Sequence, residues 1–274
     1  MMKIIFILFI IIFVLPALYI FSFIPSEKDI TGCITTTMFN IELCDKSKDY
    51  VKLKNISPYM QRAIIQTEDS SFYTHNGFDE EGIERCFEKL KEKKKIVCGG
   101  STITQQLAKN LYLSKDKNFV RKGLEALITM KIEKTLSKKM ILEKYLNVVQ
   151  FGKNIFGIKK AAQFYFKKHP SELDVVESSF LAMVLPNPEK YSQSYYRKDL
   201  TKFARKRISK IIKDMHRFKS ISDDEYFNSI AKLEYFLSSG QQIKNSEPSD
   251  LSPDDLQEMS DDLEIENSEE NLVN

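Results

Sequence analysis

The sequence predicts a mainly α-helical protein in which one globular domain, residues 51–240, follows a transmembrane helix. Apolar residues make up 42% of the 274 residues, which is enough for a core of ordinary domain size. Charged residues at 29%, with no Trp and only nine Gly, favour a helical domain over a β-sandwich or a fibrous chain. From Ser57 onwards, apolar residues recur at the helical period.

The first residues form one apolar segment. Ile4–Ile24 is a run of 21 residues interrupted only by one Pro and one Ser, and a helix of that length crosses a hydrocarbon core of roughly 30 Å. A cleavable signal would be shorter and would end in a small-x-small site, so an uncleaved signal anchor is favoured over cleavage. Lys3 precedes the run, whereas Glu27 and Asp29 follow it. This charge bias predicts a cytoplasmic stub at residues 1–3 and a domain outside the cytoplasm.

The charge of the chain is unevenly distributed. Residues 241–274 hold eleven Asp or Glu against one Lys, a net charge of −10. Because the whole chain has a net charge of +3, residues 1–240 carry a net charge of +13. A basic body indicates an anionic partner such as nucleic acid, an anionic bilayer or a phosphorylated ligand, and the apolar first segment favours the last two. The acidic tail has too little apolar content to fold and is predicted to be disordered. Residues 25–50 are predicted to be a polar connector with weak β propensity at Ile34–Met38.

Helix signals follow in order through the domain. Ser57 and Pro58 form a plausible N-cap and first turn. Gly99 and Gly100 end a basic stretch and join it to a helix that begins near Ser101. Further helices are predicted at Phe119–Leu136, Lys138–Val149, Ala161–Phe166, Glu177–Leu185 and Arg197–Phe218.

Four cysteines form two local pairs, Cys33 with Cys44 and Cys86 with Cys98. Neither pair has metal-ligand spacing, and the chain has only three His, so a zinc site is not predicted. Each pair can close a short disulfide loop in an oxidising compartment. Four unpaired thiols remain the alternative.

Three polar clusters interrupt the helical pattern. In the first, Glu68 and Asp69 follow an apolar run, where burial raises the pKa of a carboxylate and makes it a usable base. In the second, Ser101 and Thr102 open a helix whose free N–H groups attract anions. Without further context, the first cluster would be interpreted as a solvated helix end and the second as an N-capped surface helix, neither with a role in function.

The third cluster is Arg121, Lys122 and Glu125, in which Arg121 and Glu125 share one helical face. An ordinary intrahelical ion pair is the usual meaning of such a pattern. With Lys109 and Lys117 nearby in the fold, the same cations could hold a diphosphate and offset its developing charge.

Together these clusters resemble glycosyltransferase family 51, the peptidoglycan glycosyltransferases, and within it the monofunctional biosynthetic transglycosylases. The first family motif is met at Glu68, Asp69, Phe72, His75 and Gly77. The second is met at Gly99, Ser101, Thr102, Gln105, Gln106, Lys109 and Asn110, and the third at Arg121, Lys122 and Glu125. Further similarity at Ile141–Asn147 and Ala161–Phe166 extends the resemblance over roughly residues 51–191. One departure is Lys117, where the family often has Arg, whose planar fork is then missing.

The resemblance implies a lysozyme-like helical domain with a small membrane-proximal lobe. It implies that a lipid-linked glycan donor is joined to the 4-hydroxyl of lipid II with inversion, releasing undecaprenyl diphosphate, with Glu68 as general base and Glu125 as a second catalytic residue near the diphosphate. The other implied substrate-binding residues are Asp69, Phe72, His75, Gly99, Ser101, Thr102, Gln105, Gln106, Lys109, Asn110, Lys117, Arg121 and Lys122.

The resemblance also bears on cofactors, partners and location. A divalent cation, Mg or Mn, is an option at Glu125, and no organic cofactor is expected. The expected partners are lipid II, the lipid-linked glycan, the membrane and other cell-wall synthesis or division proteins, but not nucleic acid. The expected location is the bacterial cytoplasmic (inner) membrane, with a single pass and an extracytoplasmic catalytic domain.

Three alternatives belong to other functional classes. A hydrolase or lytic transglycosylase also needs one essential Glu, but it cleaves uncharged glycosidic bonds and has no use for a diphosphate-binding cation cluster. A bifunctional penicillin-binding protein is excluded by length and by the lack of any Lys-Thr-Gly, so transpeptidase activity is not predicted. A catalytically inactive scaffold would be expected to have lost Glu68 or Glu125, and both are present.

Overall fold

The computed structural model describes Phe6 and residues 22–93, 100–114, 116 and 118–238. This part of the chain is mainly helical, which confirms the predicted class. The helices are α1 (Glu27–Thr31), α2 (Pro58–Glu68), α3 (Glu80–Lys93), α4 (Ile103–Tyr112), α5 (Phe119–Thr135), α6 (Lys138–Val148), α7 (Ile158–Phe166), α8 (Val175–Val184), α9 (Pro188–Tyr191), α10 (Gln193–Arg197), α11 (Lys202–Arg217) and α12 (Asp223–Tyr235). Short 3-10 turns lie at Leu53–Asn55 and Pro170–Glu172.

Strands are few and short in the described residues. β1 (Ile34–Thr35) pairs with β2 (Glu42–Leu43) in an antiparallel hairpin, with Ile34 opposite Leu43. β3 (Gln150–Gly152) pairs with β4 (Ile155–Phe156), also antiparallel. Two isolated hairpins of this size depend on packing against helices for their stability.

The core is organised around α8, in which every residue from Val175 to Val184 is buried. A helix that is buried around its whole circumference is covered by other elements on all sides, and α2 and α11 both pack against it. On the other side of the domain, α4 packs between α5 and α6. Glu68, the last residue of α2, thereby lies beside α4.

Helix starts follow the predicted capping signals closely. The Ser57 side chain accepts from the Tyr59 N–H with Pro58 in the first turn, and Ser137 caps α6 in the same way. Thr102 caps α4, whereas Ser101 precedes the cap. α11 begins at Lys202, with Thr201 as its cap, and not at Arg197 as predicted. The difference arises because Lys198 adopts a left-handed conformation (φ 53°), which ends the preceding turn.

Residues 26–50, predicted to be a polar connector, pack onto the domain. α1 begins with a capping box between Ser26 and Asp29, and its Ile30 is buried. Lys131 Nζ of α5 lies 3.0 Å from Glu27 Oε1. In the hairpin, the Thr37 N–H donates to the Leu111 carbonyl over 3.0 Å. The folded unit therefore begins about 25 residues before the predicted boundary at residue 51.

Cys33 and Cys44 form a disulfide that closes the β1–β2 hairpin, and Cys86 is disulfide-bonded as well. The disulfide alternative for Cys33 and Cys44 is thus the correct one. The Cys33→Ser/Cys44→Ser double variant should lose about 2–3 kcal/mol of unfolding free energy, because the cross-link restricts the unfolded chain. Urea unfolding of the oxidised proteins measures the difference. Equal midpoints and slopes in the two proteins would contradict the expectation.

Several predictions concern residues outside the described part of the chain. These are most of the predicted anchor at 4–24, the stub at 1–3, Gly99, Lys117, Cys98 and the tail at 241–274. Within the described residues, no helix combines the length and the apolar character needed to cross a bilayer.

Candidate active site

Glu68 lies at the carboxyl end of α2 and faces the polar side of α4. Its Oε2 accepts a hydrogen bond of 2.7 Å from Gln106 Nε2. The oxygen of the same amide is also hydrogen-bonded, because Tyr145 OH donates to Gln106 Oε1 over 3.0 Å. An amide whose oxygen accepts from Tyr145 must direct its NH₂ group towards Glu68. The fully buried Tyr145 therefore fixes the donor that faces the carboxylate.

The surroundings of Glu68 shift its acidity. Burial raises the pKa of Glu68 above its usual value, and this effect exceeds the opposing effects of the Gln106 hydrogen bond and of Arg207 on α11 and Lys109 on α4. A carboxylate with a raised pKa that stays partly accessible to solvent is suited to take a proton. A cleft of about 180 Å³ runs alongside it, lined by residues of two regions, 66–82 and 100–102.

Asp69, next in sequence, is oriented into the protein. Its Oδ1 lies 2.8 Å from His75 Nε2, and its Oδ2 accepts from the Ile103 N–H over 2.9 Å. Because the Gly77 N–H donates to His75 Nδ1, the ring proton must be on Nε2, and His75 donates to Asp69. Asp69 thus ties the loop after α2 to the first turn of α4.

A second connection joins the same two segments. Thr102 Oγ1 donates to the Gly77 carbonyl over 2.8 Å, and Thr102 and Gln105 form a reciprocal capping box. Gln105 is consequently buried, and its side chain is used for capping. Gly77 has φ +97°, and a Cβ there would lie 2.9 Å from Thr129 Cγ2. Glycine at this position satisfies both the backbone and the packing.

Phe72 and three residues that the sequence interpretation did not assign complete the support of this loop. Phe72 is fully buried, and Lys138 Nζ lies 4.7 Å from the centre of its ring. Lys138 also contacts Glu133 Oε1 at 2.7 Å, and Thr104 Oγ1 donates to the same oxygen over 2.5 Å. These contacts span more than one helix, so no local sequence pattern indicated them.

Lys109 connects Glu68 with the cations of α5. It is one helical turn beyond Gln106 on α4, and it interacts electrostatically with Glu125 as well as with Glu68. Burial lowers the pKa of Lys109, and Glu125 opposes this shift. Asn110, the neighbouring residue of the motif, is buried.

Glu125 organises the cation cluster. Arg121 Nη1 lies 2.7 Å from Glu125 Oε2, and Lys122 Nζ contacts Glu125 Oε1. Lys122 Nζ is also 3.4 Å from Ser101 Oγ, which brings the second and third sequence clusters together. Arg121 Nε is buried and has no hydrogen-bond partner among the described residues. A buried N–H group without an acceptor is costly, and an anionic ligand oxygen would satisfy it.

The structure therefore brings together twelve of the predicted site residues. Gln106 contacts Glu68, and Lys109 interacts electrostatically with both Glu68 and Glu125. Arg121 and Lys122 contact Glu125, and Lys122 also reaches Ser101. Asp69, Phe72, His75, Thr102 and Gln105 hold the intervening loop and the start of α4.

The fold and the site define a helical domain in which a carboxylate faces a cation cluster across the start of one helix. The family model described as transglycosylase matches residues 35–216. The chain belongs to the transglycosylase family, which confirms the resemblance read from its motifs.

Curated relatives agree with this assignment, and each of the following three is named biosynthetic peptidoglycan transglycosylase. The chain is 49% identical over 147 residues to that of Aromatoleum aromaticum, covering 54% of this chain and 64% of the relative. It is 49% identical over 140 residues to that of Haemophilus influenzae, covering 51% and 57%. For Bdellovibrio bacteriovorus the identity is 40% over 176 residues, covering 64% and 69%. The chain thus spans a little under two thirds of the first of these relatives.

Proposed function

We propose that this chain is a peptidoglycan glycosyltransferase that polymerises lipid II into β1,4-linked glycan strands. One observation carries the proposal: Lys109 interacts electrostatically both with Glu68, whose carboxylate has a raised pKa, and with Glu125, which contacts the cations of α5. Such a site supplies a base for an incoming hydroxyl and positive charge for a departing diphosphate. The names of the relatives support the same reaction.

In the proposed reaction, Glu68 accepts the proton of the acceptor 4-hydroxyl as its oxygen attacks the anomeric carbon of the donor. The bond from that carbon to the diphosphate oxygen breaks, and undecaprenyl diphosphate leaves with the electron pair. Attack opposite the leaving group converts the α-linked donor into a β-linked product. Lys109, Arg121 and Lys122 offset the charge that develops on the diphosphate.

Glu125 acts in this proposal as the counter-ion that holds Arg121 and Lys122 in place. Both of its carboxylate oxygens contact these cations, so a divalent ion there would have one carboxylate ligand and two positive neighbours. Oxygen-rich ligand sets are what Mg²⁺ requires. The residues present do not fit a metal site at Glu125, and the proposed chemistry uses none there.

The proposal includes the finer structural expectations from the sequence. These are a lysozyme-like domain with a membrane-proximal lobe, and a single-pass anchor at residues 4–24 that keeps the domain outside the cytoplasmic membrane. A lipid-linked substrate supports such an anchor, because the substrate itself stays in the bilayer. Other proteins of cell-wall synthesis or division are the proposed partners.

The test is polymerisation of labelled lipid II by the full chain in detergent, with and without a β-lactam. A ladder of glycan strands that the β-lactam does not affect is the expected result. Release of shortened fragments from preformed glycan, without polymer formation, would instead assign a lytic enzyme. Neither activity in a folded sample would indicate an inactive scaffold.

A variant of Lys109 tests the anion site. Lys109→Gln should weaken inhibition by undecaprenyl diphosphate on the order of tenfold, because a charge-assisted contact contributes about 1.5–3 kcal/mol. Lys139→Gln, at an exposed residue of α6, is the matched control and should leave inhibition unchanged. The inhibition constant is measured in the polymerisation assay. Equal constants for both variants would place Lys109 outside the diphosphate site.

A further inference from the structure

The outer face of α11 carries a row of cations that has no role in the proposed reaction. The helix contains seven Lys or Arg and a single acid, Asp214. Five of the cations follow one another at spacings of four, four, three and four residues, which places them on one face. This basic stripe consists of Lys202, Lys206, Lys210, Lys213 and Arg217.

The stripe faces away from the core. The opposite face of α11 buries Ala204, Ile208, Ile211, Ile212 and Met215. Four members of the stripe are exposed, and Lys210 is partly exposed with its Nζ 3.8 Å from Asp214 Oδ2. Five like charges along one helical face repel each other, so a complementary anion lowers their energy.

The described chain ends close to one end of this stripe. α12 packs antiparallel on α11, since Arg205 Nη1 near the start of α11 donates to the Leu233 carbonyl near the end of α12 over 2.7 Å. The last described residue in this region is Ser238, five residues after Leu233. Residues 241–274, with a net charge of −10, therefore follow from the amino-terminal end of the stripe.

We propose that the acidic segment 241–274 binds the basic stripe of α11. Glu247, the first acid, is nine residues after Ser238, and nine residues of extended chain span at most roughly 30 Å. α11 has 16 residues and is about 24 Å long, so the acids can reach its whole length. A tethered segment has an effective concentration in the millimolar range, and any acidic lipid headgroup must compete with it. The cations of the cleft are a poorer target, because Glu125 already neutralises part of their charge.

The proposal is tested on the full chain in neutral detergent by limited lysine acetylation and mass spectrometry. The comparison variant replaces all eleven acids of residues 241–274 by their amides. Lys202, Lys206, Lys210 and Lys213 should react at least about threefold more slowly in the unmodified chain at low salt, since exposed ion pairs are individually weak but several act together. The difference should disappear in 1 M salt, where the screening length is about 3 Å.

Lys134 of α5 and Lys139 of α6 are exposed and lie outside the stripe. They are the control positions and should react equally in both proteins. Equal reactivity of the stripe lysines in both proteins would overturn the proposal. So would protection that appears only at Lys122, because the segment would then lie at the cleft. The remaining alternative is that the stripe binds anionic lipid, and the same measurement in nanodiscs tests it. Protection of the stripe lysines that requires phosphatidylglycerol and does not depend on the acidic segment would show that the stripe binds the membrane.

Discussion

Replacing Glu68 by Gln should reduce the rate of lipid II polymerisation by about 10²–10⁴-fold. Gln has nearly the same shape but cannot accept a proton, and its amide would direct either an oxygen or an NH₂ group at the Gln106 donor. Binding of lipid II should persist, because the cations on α5 are unchanged. Single-turnover rates and a separate binding titration measure the two effects.

Asp79→Asn is the matched control for this variant. Asp79 lines the same cleft and accepts from the Gly82 N–H over 3.1 Å, a capping contact that Asn can also make. Its rate should stay within about twofold of the unmodified enzyme, because no proton transfer is assigned to it. A Glu68→Gln enzyme that retains more than a third of the original rate would exclude Glu68 as the base.

The raised pKa of Glu68 predicts the pH dependence of the reaction. A base works only when it is deprotonated, so the rate should fall as pH falls through the pKa of Glu68. Because burial raises that pKa, the acidic limb should lie above the pH at which an ordinary Glu titrates. Gln106→Ala removes a hydrogen bond that lowers the pKa, and it should move this limb to still higher pH.

The second large effect is expected on stability, for Asp69→Asn. The two oxygens of Asp69 accept from His75 Nε2 and from the Ile103 N–H. Asn has one oxygen, so its NH₂ group would face one of these two donors. His75 cannot resolve the conflict by moving its proton, since Nδ1 already accepts from the Gly77 N–H. The unfolding free energy should fall by about 2–3 kcal/mol.

Urea unfolding measures this loss, and Asp79→Asn serves again as the comparison because its carboxylate is at the surface of the cleft. We expect the Asp79 variant to differ by less than about 0.5 kcal/mol. Unchanged stability in Asp69→Asn would mean that the loop and α4 are not held together by this carboxylate. A loss of polymerisation without a loss of stability would instead give Asp69 a direct role in catalysis.

Local patterns in the sequence were sufficient to predict where several helices begin and which side chains pair within a helix. Ser57 and Ser137 cap their helices as predicted, since a side-chain oxygen one residue before a helix is a short-range feature. The intrahelical pair of Arg121 and Glu125 was likewise predictable, because four residues is one helical turn. α3 was not predicted, although Ile83, Phe87 and Leu90 recur at the helical spacing, because charged residues fill most of its other positions and its overall apolar content is low.

The contacts that make the site specific are long-range, and the sequence did not indicate them. Tyr145 and Gln106 are 39 residues apart, and Asp69 and Ile103 are 34 apart. The family motifs named most of the participants but not their partners. The packing of residues 26–50 was missed for a related reason: Ile30 is an isolated apolar residue, and the alternation of Phe39, Ile41 and Leu43 does not indicate what Leu43 packs against.

The position of Gln106 and Lys109 on α4 has a geometric consequence. Three residues of α-helix advance by about 4.5 Å, and this rise separates Gln106, which holds Glu68, from Lys109, the proposed contact of the diphosphate. The spacing of these two residues along α4 is therefore set by the helix rise. Neighbouring loops can change in length or sequence without changing that distance. A single residue inserted between Gln106 and Lys109 would rotate one of them by about 100° and take it out of the cleft.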